Sequence, residues 1–134
     1  MSISRKKIVM ILFMLFLLLA SIFGTAYIDR VGEYKRAVKE TTIEEVNISD
    51  IPDGVYIGEY DVNFIYAKVE VDVSGGKIID VRILEHRQER GKAAEAVANE
   101  IVDEQRIDVD TVSGATNSSI VIKKAVEVAL KGNA

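Results

Sequence analysis

Hydroxyl-bearing and small residues are concentrated in one stretch near the C-terminus, where they could bind an anion. The stretch is Asp110, Thr111, Val112, Ser113, Gly114, Ala115, Thr116, Asn117, Ser118 and Ser119. The amphipathic run that follows it, residues 120–131, predicts a helix, so the stretch lies where a loop enters that helix. Unpaired backbone N–H groups and the helix dipole favour a phosphate at such a point. A plain helix-capping loop would have the same composition, so the residues alone leave both interpretations open.

The rest of the chain offers few reactive side chains. Among its 134 residues there is no cysteine, and His86 is the single histidine. This composition excludes disulfides, thiolate metal sites, a CxxCH haem site and a lipid-modified cysteine. A histidine-rich metal site is excluded too, whereas carboxylate-only sites stay open. Since the sequence also shows no Ser-His-Asp arrangement and no nucleotide-binding glycine loop, it predicts no catalytic centre of the protein's own.

Length and charge narrow the class of protein. Apart from the apolar N-terminal segment, the chain has room for one small globular domain. The net charge is −4, and Arg5, Lys6 and Lys7 are the only charged residues before Asp29, so residues 29–134 carry −7. A domain of that sign lacks the basic face that binds a nucleic-acid backbone. Nucleic acid is therefore not an expected partner.

The N-terminal segment indicates a membrane. Residues 8–28 contain no charge and are rich in Leu, Ile, Phe and Met. As a helix they would span roughly 31 Å, which matches a bilayer core. We predict a transmembrane anchor over residues 1–28 that also contacts lipid, with a cleaved signal peptide as the alternative. Under either interpretation the rest of the chain is exported. The lysine and arginine residues are nearly balanced on the two sides of the segment, so their count indicates the orientation only weakly.

The composition changes to mixed charge after the apolar segment. Residues 29–50 are predicted to form a juxtamembrane stalk or linker, into which the membrane helix continues. The globular domain is predicted over residues 51–134. It begins with a turn signal, Pro52-Asp53-Gly54, which precedes an extended run at residues 55–60.

Alternation of apolar and polar residues predicts a small antiparallel sheet. Residues 67–73 alternate with the period of two that is typical of a strand with one buried face. Residues 74–77, Ser-Gly-Gly-Lys, supply a tight hairpin turn. Ile79, Val81 and Ile83 then continue the pattern on the partner strand. At least three strands are therefore expected.

Two helices complete the predicted domain. Residues 91–105 carry an apolar stripe at three- and four-residue spacing, which predicts a helix that covers one face of the sheet. The final helix ends near Lys131, with Gly132 in a C-cap position. The predicted fold class is α+β: an N-terminal transmembrane helix followed by a small antiparallel sheet packed with two helices.

The order of these features resembles the FMN-binding domain family. Its members include the flavin-carrying subunits of sodium-pumping and related bacterial membrane oxidoreductases. The residues that fit the family's attachment motif are Asp110-x-x-Ser113-Gly114-Ala115-Thr116-x-Ser118. Residues 53–58, the glycine hairpin and residues 101–105 appear in the family's order, so the resemblance spans residues 51–131.

The resemblance implies a covalent flavin. The hydroxyl of Thr116 would carry FMN as a phosphoester, which is installed by a dedicated flavin transferase. Gly114 and Ala115 would let the transferase and the phosphate approach the backbone. Ser113 and Ser118 would donate hydrogen bonds to phosphate oxygens or cap the helix.

Further site residues also follow from the resemblance. Asp110 would serve recognition by the transferase or metal-assisted transfer, with a simple Asx turn as the alternative. His86 corresponds to a histidine near the flavin, with a strand-end surface histidine as the alternative. Larger family members have a glutamate and a proline where this chain has Gln88 and Arg90. Four aromatic residues are candidates for stacking on the flavin ring or for the sheet core: Tyr56, Tyr60, Phe64 and Tyr66.

The resemblance therefore predicts an extracytoplasmic, membrane-anchored FMN protein that transfers electrons and has no catalytic activity alone. Its expected partners are the flavin transferase and a membrane or extracellular redox protein. One alternative is a non-covalent FMN-binding or flavin-sensing module. The other is a flavin-free domain that binds a ligand at the cell surface.

Overall fold

The computed structural model describes residues 2–88 and 92–132, with the side chain of Tyr34 outside that description. In chain order, the helices and strands are α1 (Arg5–Glu40), β1 (Gly54–Asp61), β2 (Tyr66–Ser74), β3 (Lys77–Arg87), α2 (Ala96–Glu104) and α3 (Thr116–Lys131). Short 3₁₀ turns at Ile48–Asp50 and Lys92–Glu95 precede β1 and α2. A long apolar helix, a three-stranded antiparallel sheet and two further helices make an α+β fold, which confirms the predicted class.

The chain divides into two units, residues 1–35 and residues 36–134. The first unit consists of the greater part of α1, whose apolar side chains are exposed. Of the helices in the described ranges, α1 is the one long and apolar enough to cross a membrane. Helix α1 covers residues of both the predicted anchor and the predicted stalk.

The three strands form one antiparallel sheet in the order β1-β2-β3. The β2–β3 hairpin turns at Gly75 and Gly76, whose φ angles of 61° and 72° are those of a turn that glycine adopts without strain. On β2 the apolar residues 67, 69, 71 and 73 are all at most 1% exposed. They form the inner face of the sheet, against which α3 packs, while α2 packs against β3. The predicted hairpin and the predicted helical layer are both confirmed.

Two bulges in β3 change which of its residues face the core. Val73 pairs with Ile78 although Asp72 pairs with Asp80, so Ile79 is an extra residue in β3. Ile78 is consequently buried and Ile79 is 53% exposed, whereas the sequence pattern placed Ile79 with the apolar set. A second bulge adds Leu84 in the same way.

Helix α3 approaches the sheet closely at Gly58 on β1. A Cβ atom at this position would lie 2.2 Å from the carbonyl oxygen of Ala125 and 2.4 Å from the amide nitrogen of Ala129. The backbone of α3 therefore packs directly on the backbone of β1. Only glycine fits at this position, since both clashing groups are backbone atoms.

The boundaries of the two domain helices differ from the predicted ones. Residue 91, the predicted helix start, lies outside the described residues, and a 3₁₀ turn comes before α2. Helix α2 ends at Glu104 and is followed by the C-cap residue Gln105, which has a φ of 53°. The side-chain amide of Gln105 bonds to both the N–H and the C=O of Ile78. Helix α3 begins at Thr116, earlier than the amphipathic pattern indicated, so Thr116 itself lies in the first turn.

Residues 36–50 belong to the second unit and contact it, although the sequence placed them in the stalk. Val38 is 5% exposed, and the hydroxyls of Thr41 and Tyr60 lie 2.9 Å apart. The packed unit thus begins ahead of residue 51. Mixed charge alone did not reveal this packing, because the partners of the segment lie far away in the sequence.

Candidate functional site

The candidate site is centred on residues 110–115, here called the hydroxyl-rich loop, and on the start of α3. The loop contains a turn in which the N–H of Ala115 donates to the carbonyl of Val112 at 2.9 Å. Gly114 has a φ of 79°, and a Cβ atom on it would meet nothing within 4 Å. Glycine is therefore favoured here for its backbone conformation, since other side chains would have room but would be strained.

Ser119 joins the loop to α3. Its Oγ donates to the carbonyl oxygen of Ala115 at 2.8 Å and accepts from the N–H of Val112 at 3.0 Å. Ser119 is fully buried, so its bond to Ala115 is shielded from water, and its bond to Val112 is partly buried. Sequence reasoning included Ser119 in the stretch but gave it no role. The signal that was available is its position four residues after the helix cap, from which a serine can bond back to the preceding turn.

The first turn of α3 presents backbone N–H groups and a hydroxyl without a competing cap. The N-cap residue is Ala115, which makes no side-chain cap hydrogen bond, and the first turn contains no acidic residue. Thr116 is exposed at the first helical position. An incoming phosphate would therefore meet a positive helix end with no carboxylate of that turn to repel it.

The predicted neighbours of Thr116 differ in accessibility. Ser113 and Gly114 are exposed in the loop. Ala115 is 7% exposed and Ser118 is 3% exposed. Thr116 therefore has exposed neighbours in Ser113 and Gly114 and buried ones in Ala115 and Ser118. Direct phosphate contacts from Ser113 and Ser118 stay predictions, and the burial of Ser118 makes its hydroxyl the less accessible of the two.

Asp110 is exposed at the start of the hydroxyl-rich loop. Its negative charge contributes to the pKa of Arg106. The pKa of Arg106 is raised, first by its hydrogen bond to Glu104 and to a lesser extent by the charges of Asp110 and Glu45. Of the three carboxylates, Glu104 makes the direct ion pair with Arg106, at 2.6 Å.

His86 is buried by the second bulge in β3. Because Leu84 is the extra residue, His86 pairs with Ala67 and lies on the inner face of the sheet. Its side chain is 2% exposed, and its Nδ1 lies 3.4 Å from Oε1 of Glu95 on the 3₁₀ turn that packs against α3. Its Nε2 is buried and has no hydrogen-bond partner among residues 2–88 and 92–132. An unpaired buried ring nitrogen is costly unless a ligand or water bonds it.

The candidate ring-stacking residues already have partners within the domain. The Tyr56 hydroxyl donates to the carbonyl of Pro52 at 2.5 Å, and the Tyr60 hydroxyl contacts Thr41. Tyr66 donates to Glu59, and this hydrogen bond is the main cause that raises the pKa of Tyr66 to about 12. Phe64 is half-buried. These contacts favour structural roles for the three tyrosines.

The structure thus places Thr116 and Ser119 at the start of α3, next to the hydroxyl-rich loop. His86 lies on a different element, β3, beside a 3₁₀ turn that contacts α3. Residues 89 and 90, including the Arg90 position at which the chain departs from larger family members, lie outside the described ranges. Within those ranges, no group of three or more His, Asp or Glu side chains is arranged to hold a metal ion.

Comparison with known proteins assigns the domain. No curated protein matches the chain. The FMN-binding domain family matches residues 63–131, which include β2, β3, both domain helices and the hydroxyl-rich loop. Strand β1, with the residues that resemble the family's opening segment, lies before the match. Since the match covers more than half of the 134 residues, the chain belongs to the FMN-binding domain family.

Proposed function

We propose that FMN is attached covalently to Thr116 as a phosphoester and that the protein is a membrane-anchored, extracytoplasmic electron carrier. The observation that carries the proposal is the exposed Thr116 hydroxyl at an uncapped helix start, within residues that match an FMN-binding domain. The hydroxyl and the backbone N–H groups lie at the same helix end. Attachment there would leave the phosphate close to those N–H groups.

Esterification needs an activated flavin donor. In water, hydrolysis of the phosphoester is favoured over its formation from free FMN and an alcohol. A phosphoanhydride such as FAD meets this need. The Oγ of Thr116 forms a bond to the phosphorus of the FMN half, the anhydride P–O bond breaks, and AMP leaves. The hydroxyl proton is lost to a base of the transferase. The diester phosphate keeps one negative charge, which the start of α3 stabilises by ~0.3–1 kcal/mol.

A covalent bond suits an exported carrier. A dissociable flavin held at micromolar affinity, about −8 kcal/mol, would be lost into a large external volume. A tethered flavin stays beside the protein at high effective concentration. FMN supplies the redox chemistry, and the protein supplies attachment and electrostatics. A role for His86 beside the flavin stays a prediction, which its buried Nε2, without a hydrogen-bond partner among the described residues, leaves open.

The experiment is an intact-mass measurement on the protein from its native membrane. We expect a mass increase of one FMN less one water, localised to the peptide that contains Thr116. Thr116→Ala should remove the increase, whereas Thr116→Ser should keep it because serine retains a hydroxyl at the same position. Both changes are at an exposed site and should leave the free energy of unfolding within about 0.5 kcal/mol of the wild type.

The alternatives give different results in the same experiment. Flavin that is released by denaturation, and that still co-purifies with the Thr116→Ala variant, would indicate a non-covalent module. Wild-type protein that stays colourless in a host with the transferase would indicate a domain that does not carry flavin. Either result would overturn the covalent proposal.

A further inference from the structure

The segment at residues 41–48, here called the lead-in segment, makes specific contacts with the elements around the hydroxyl-rich loop. Two contacts place it along α3: the Nζ of Lys124 donates to the carbonyl of Thr42 at 3.1 Å, and the N–H of Glu44 donates to Glu127 at 3.2 Å. The segment lies before residues 63–131 and so outside the family match. The contacts of the lead-in segment are therefore described for this chain alone.

Glu45 binds the chain just before the hydroxyl-rich loop. Its two carboxylate oxygens accept from consecutive backbone N–H groups, that of Ile107 at 3.0 Å and that of Asp108 at 2.7 Å. Residues 106–109 form the connector between α2 and the loop. A carboxylate that accepts two adjacent N–H groups fixes the orientation of that peptide, and charge-assisted bonds of this kind are stronger than neutral ones.

Lys123 binds the same connector from α3. Its Nζ donates to Oδ1 of Asp108 at 2.9 Å and to the carbonyl of Val109 at 2.9 Å, and the residue is 4% exposed. The connector is thus bonded by Glu45 on its N–H groups and by Lys123 on its oxygens. Asp110 follows directly, so the position of the hydroxyl-rich loop depends on both contacts.

We propose that Glu45 is a positioning residue for flavin attachment, which acts through the connector to hold the hydroxyl-rich loop in the conformation that the transferase recognises. The inference rests on the proposed function. Without the Glu45 carboxylate, the connector samples more conformations and a smaller fraction of molecules presents the competent loop. The apparent affinity of the transferase falls by that fraction, while the rate from the bound competent complex is unchanged.

The test measures flavin transfer to the full chain in detergent, with purified flavin transferase and FAD. We expect Glu45→Gln to raise the KM for the protein substrate about tenfold, equivalent to ~1.4 kcal/mol, with kcat retained. Glu44→Gln is the matched control, because Glu44 is the adjacent lead-in residue and its carboxylate contacts Lys131 at the far end of α3. The control should keep the wild-type KM and kcat.

Hydrogen exchange gives a second measurement that needs no transferase. In Glu45→Gln, the amides of Ile107 and Asp108 should exchange at least several-fold faster, and those of the glycine hairpin should be unchanged. Glu45→Asp retains the charge and should recover part of the KM. If Glu45→Gln does not unfold cooperatively, the KM, the kcat and the amide exchange of Glu45→Asp are compared with those of Glu44→Gln.

The outcomes separate the inference from the proposed function. Wild-type protein that accepts no flavin would overturn the proposed function. Wild-type protein that accepts flavin, together with equal KM values for Glu45→Gln and Glu44→Gln, would overturn the positioning role alone. A fall in kcat without a change in KM would also contradict it.

Discussion

Two glycines outside helix α3 determine how its middle packs and how the loop at its start is shaped, and they do so for opposite reasons. In its middle, the helix packs against Gly58, where a Cβ atom would collide with backbone atoms of Ala125 and Ala129. At its start, Gly114 stands in open space and is favoured by its φ of 79°. The first region holds the helix on the sheet and tolerates no added volume. The second sets the shape of an exposed loop, so changes there should affect chemistry more than folding.

The largest expected effect is on the packed region. Gly58→Ala forces α3 away from β1 and should destabilise the domain by about 3 kcal/mol or more, since the clashing groups are backbone atoms. Denaturant unfolding followed by tyrosine fluorescence measures the change. Gly54→Ala on the same strand is the control, because its Cβ atom meets only Tyr56, at 3.4 Å or more. Equal stability of the two variants would show that the close approach is unimportant.

The next effect concerns Ser119, which bonds the hydroxyl-rich loop to α3. Ser119→Ala leaves the N–H of Val112 without its acceptor, and we expect a loss of about 1–2 kcal/mol. Flavin attachment should fall by more than the unfolded fraction explains, since the loop loses its bond to α3. The measurement combines denaturant unfolding with the flavinylated fraction by mass spectrometry. Ser74→Ala, at an exposed serine, should change neither quantity.

A matched pair of glycines separates loop shape from stability. Gly114→Ala and Gly75→Ala both place a side chain at positive φ, at 79° and 61°, with open space around it. Each should cost about 1–2 kcal/mol. Only Gly114→Ala should also slow flavin transfer, because Gly75 lies in the β2–β3 turn. Equal transfer rates for the two variants would contradict the role of the loop.

The smallest effect is the pH dependence at the far end of α3. The hydrogen bond and charge of Lys131 hold the pKa of the Glu44 carboxyl below its ordinary value of 4.5. A carboxyl whose pKa is depressed on folding stabilises the folded state above its unfolded pKa and loses that contribution as the pH falls through the folded pKa. Wild type should therefore melt slightly above Glu44→Gln at neutral pH. The difference in melting temperature should shrink as the pH falls from 4.5 through the lowered pKa of Glu44, and a difference that does not shrink there would contradict this assignment.

Local patterns were sufficient for the elements and for the candidate attachment residue. Period-two alternation predicted β2, the Gly75-Gly76 pair predicted the hairpin, and three- and four-residue spacing predicted two domain helices. These signals are readable because strand and helix periodicity and turn chemistry depend on neighbours in the sequence. The family resemblance singled out Thr116 for attachment, and the structure places it exposed at the start of α3. Its esterification stays a prediction.

Several features that shape the site depend on distant partners. The bulges at Ile79 and Leu84 arise from pairing with β2, and the second bulge moves His86 to the inner face. The bulges have no signature in a single sequence window, since each needs two strands to meet. Ser119 differs, because its partners Ala115 and Val112 are only four and seven residues away.

The sequence by itself determined the class of the protein: an apolar N-terminal helix, a small acidic α+β domain and a hydroxyl-rich entry to the last helix. These properties follow from composition and short-range periodicity. The tertiary structure decided that residues 36–50 pack with the domain, that Glu45 bonds to the connector and that Gly58 must lack a side chain. Such features depend on packing between segments many residues apart, where distance and orientation decide whether a contact forms.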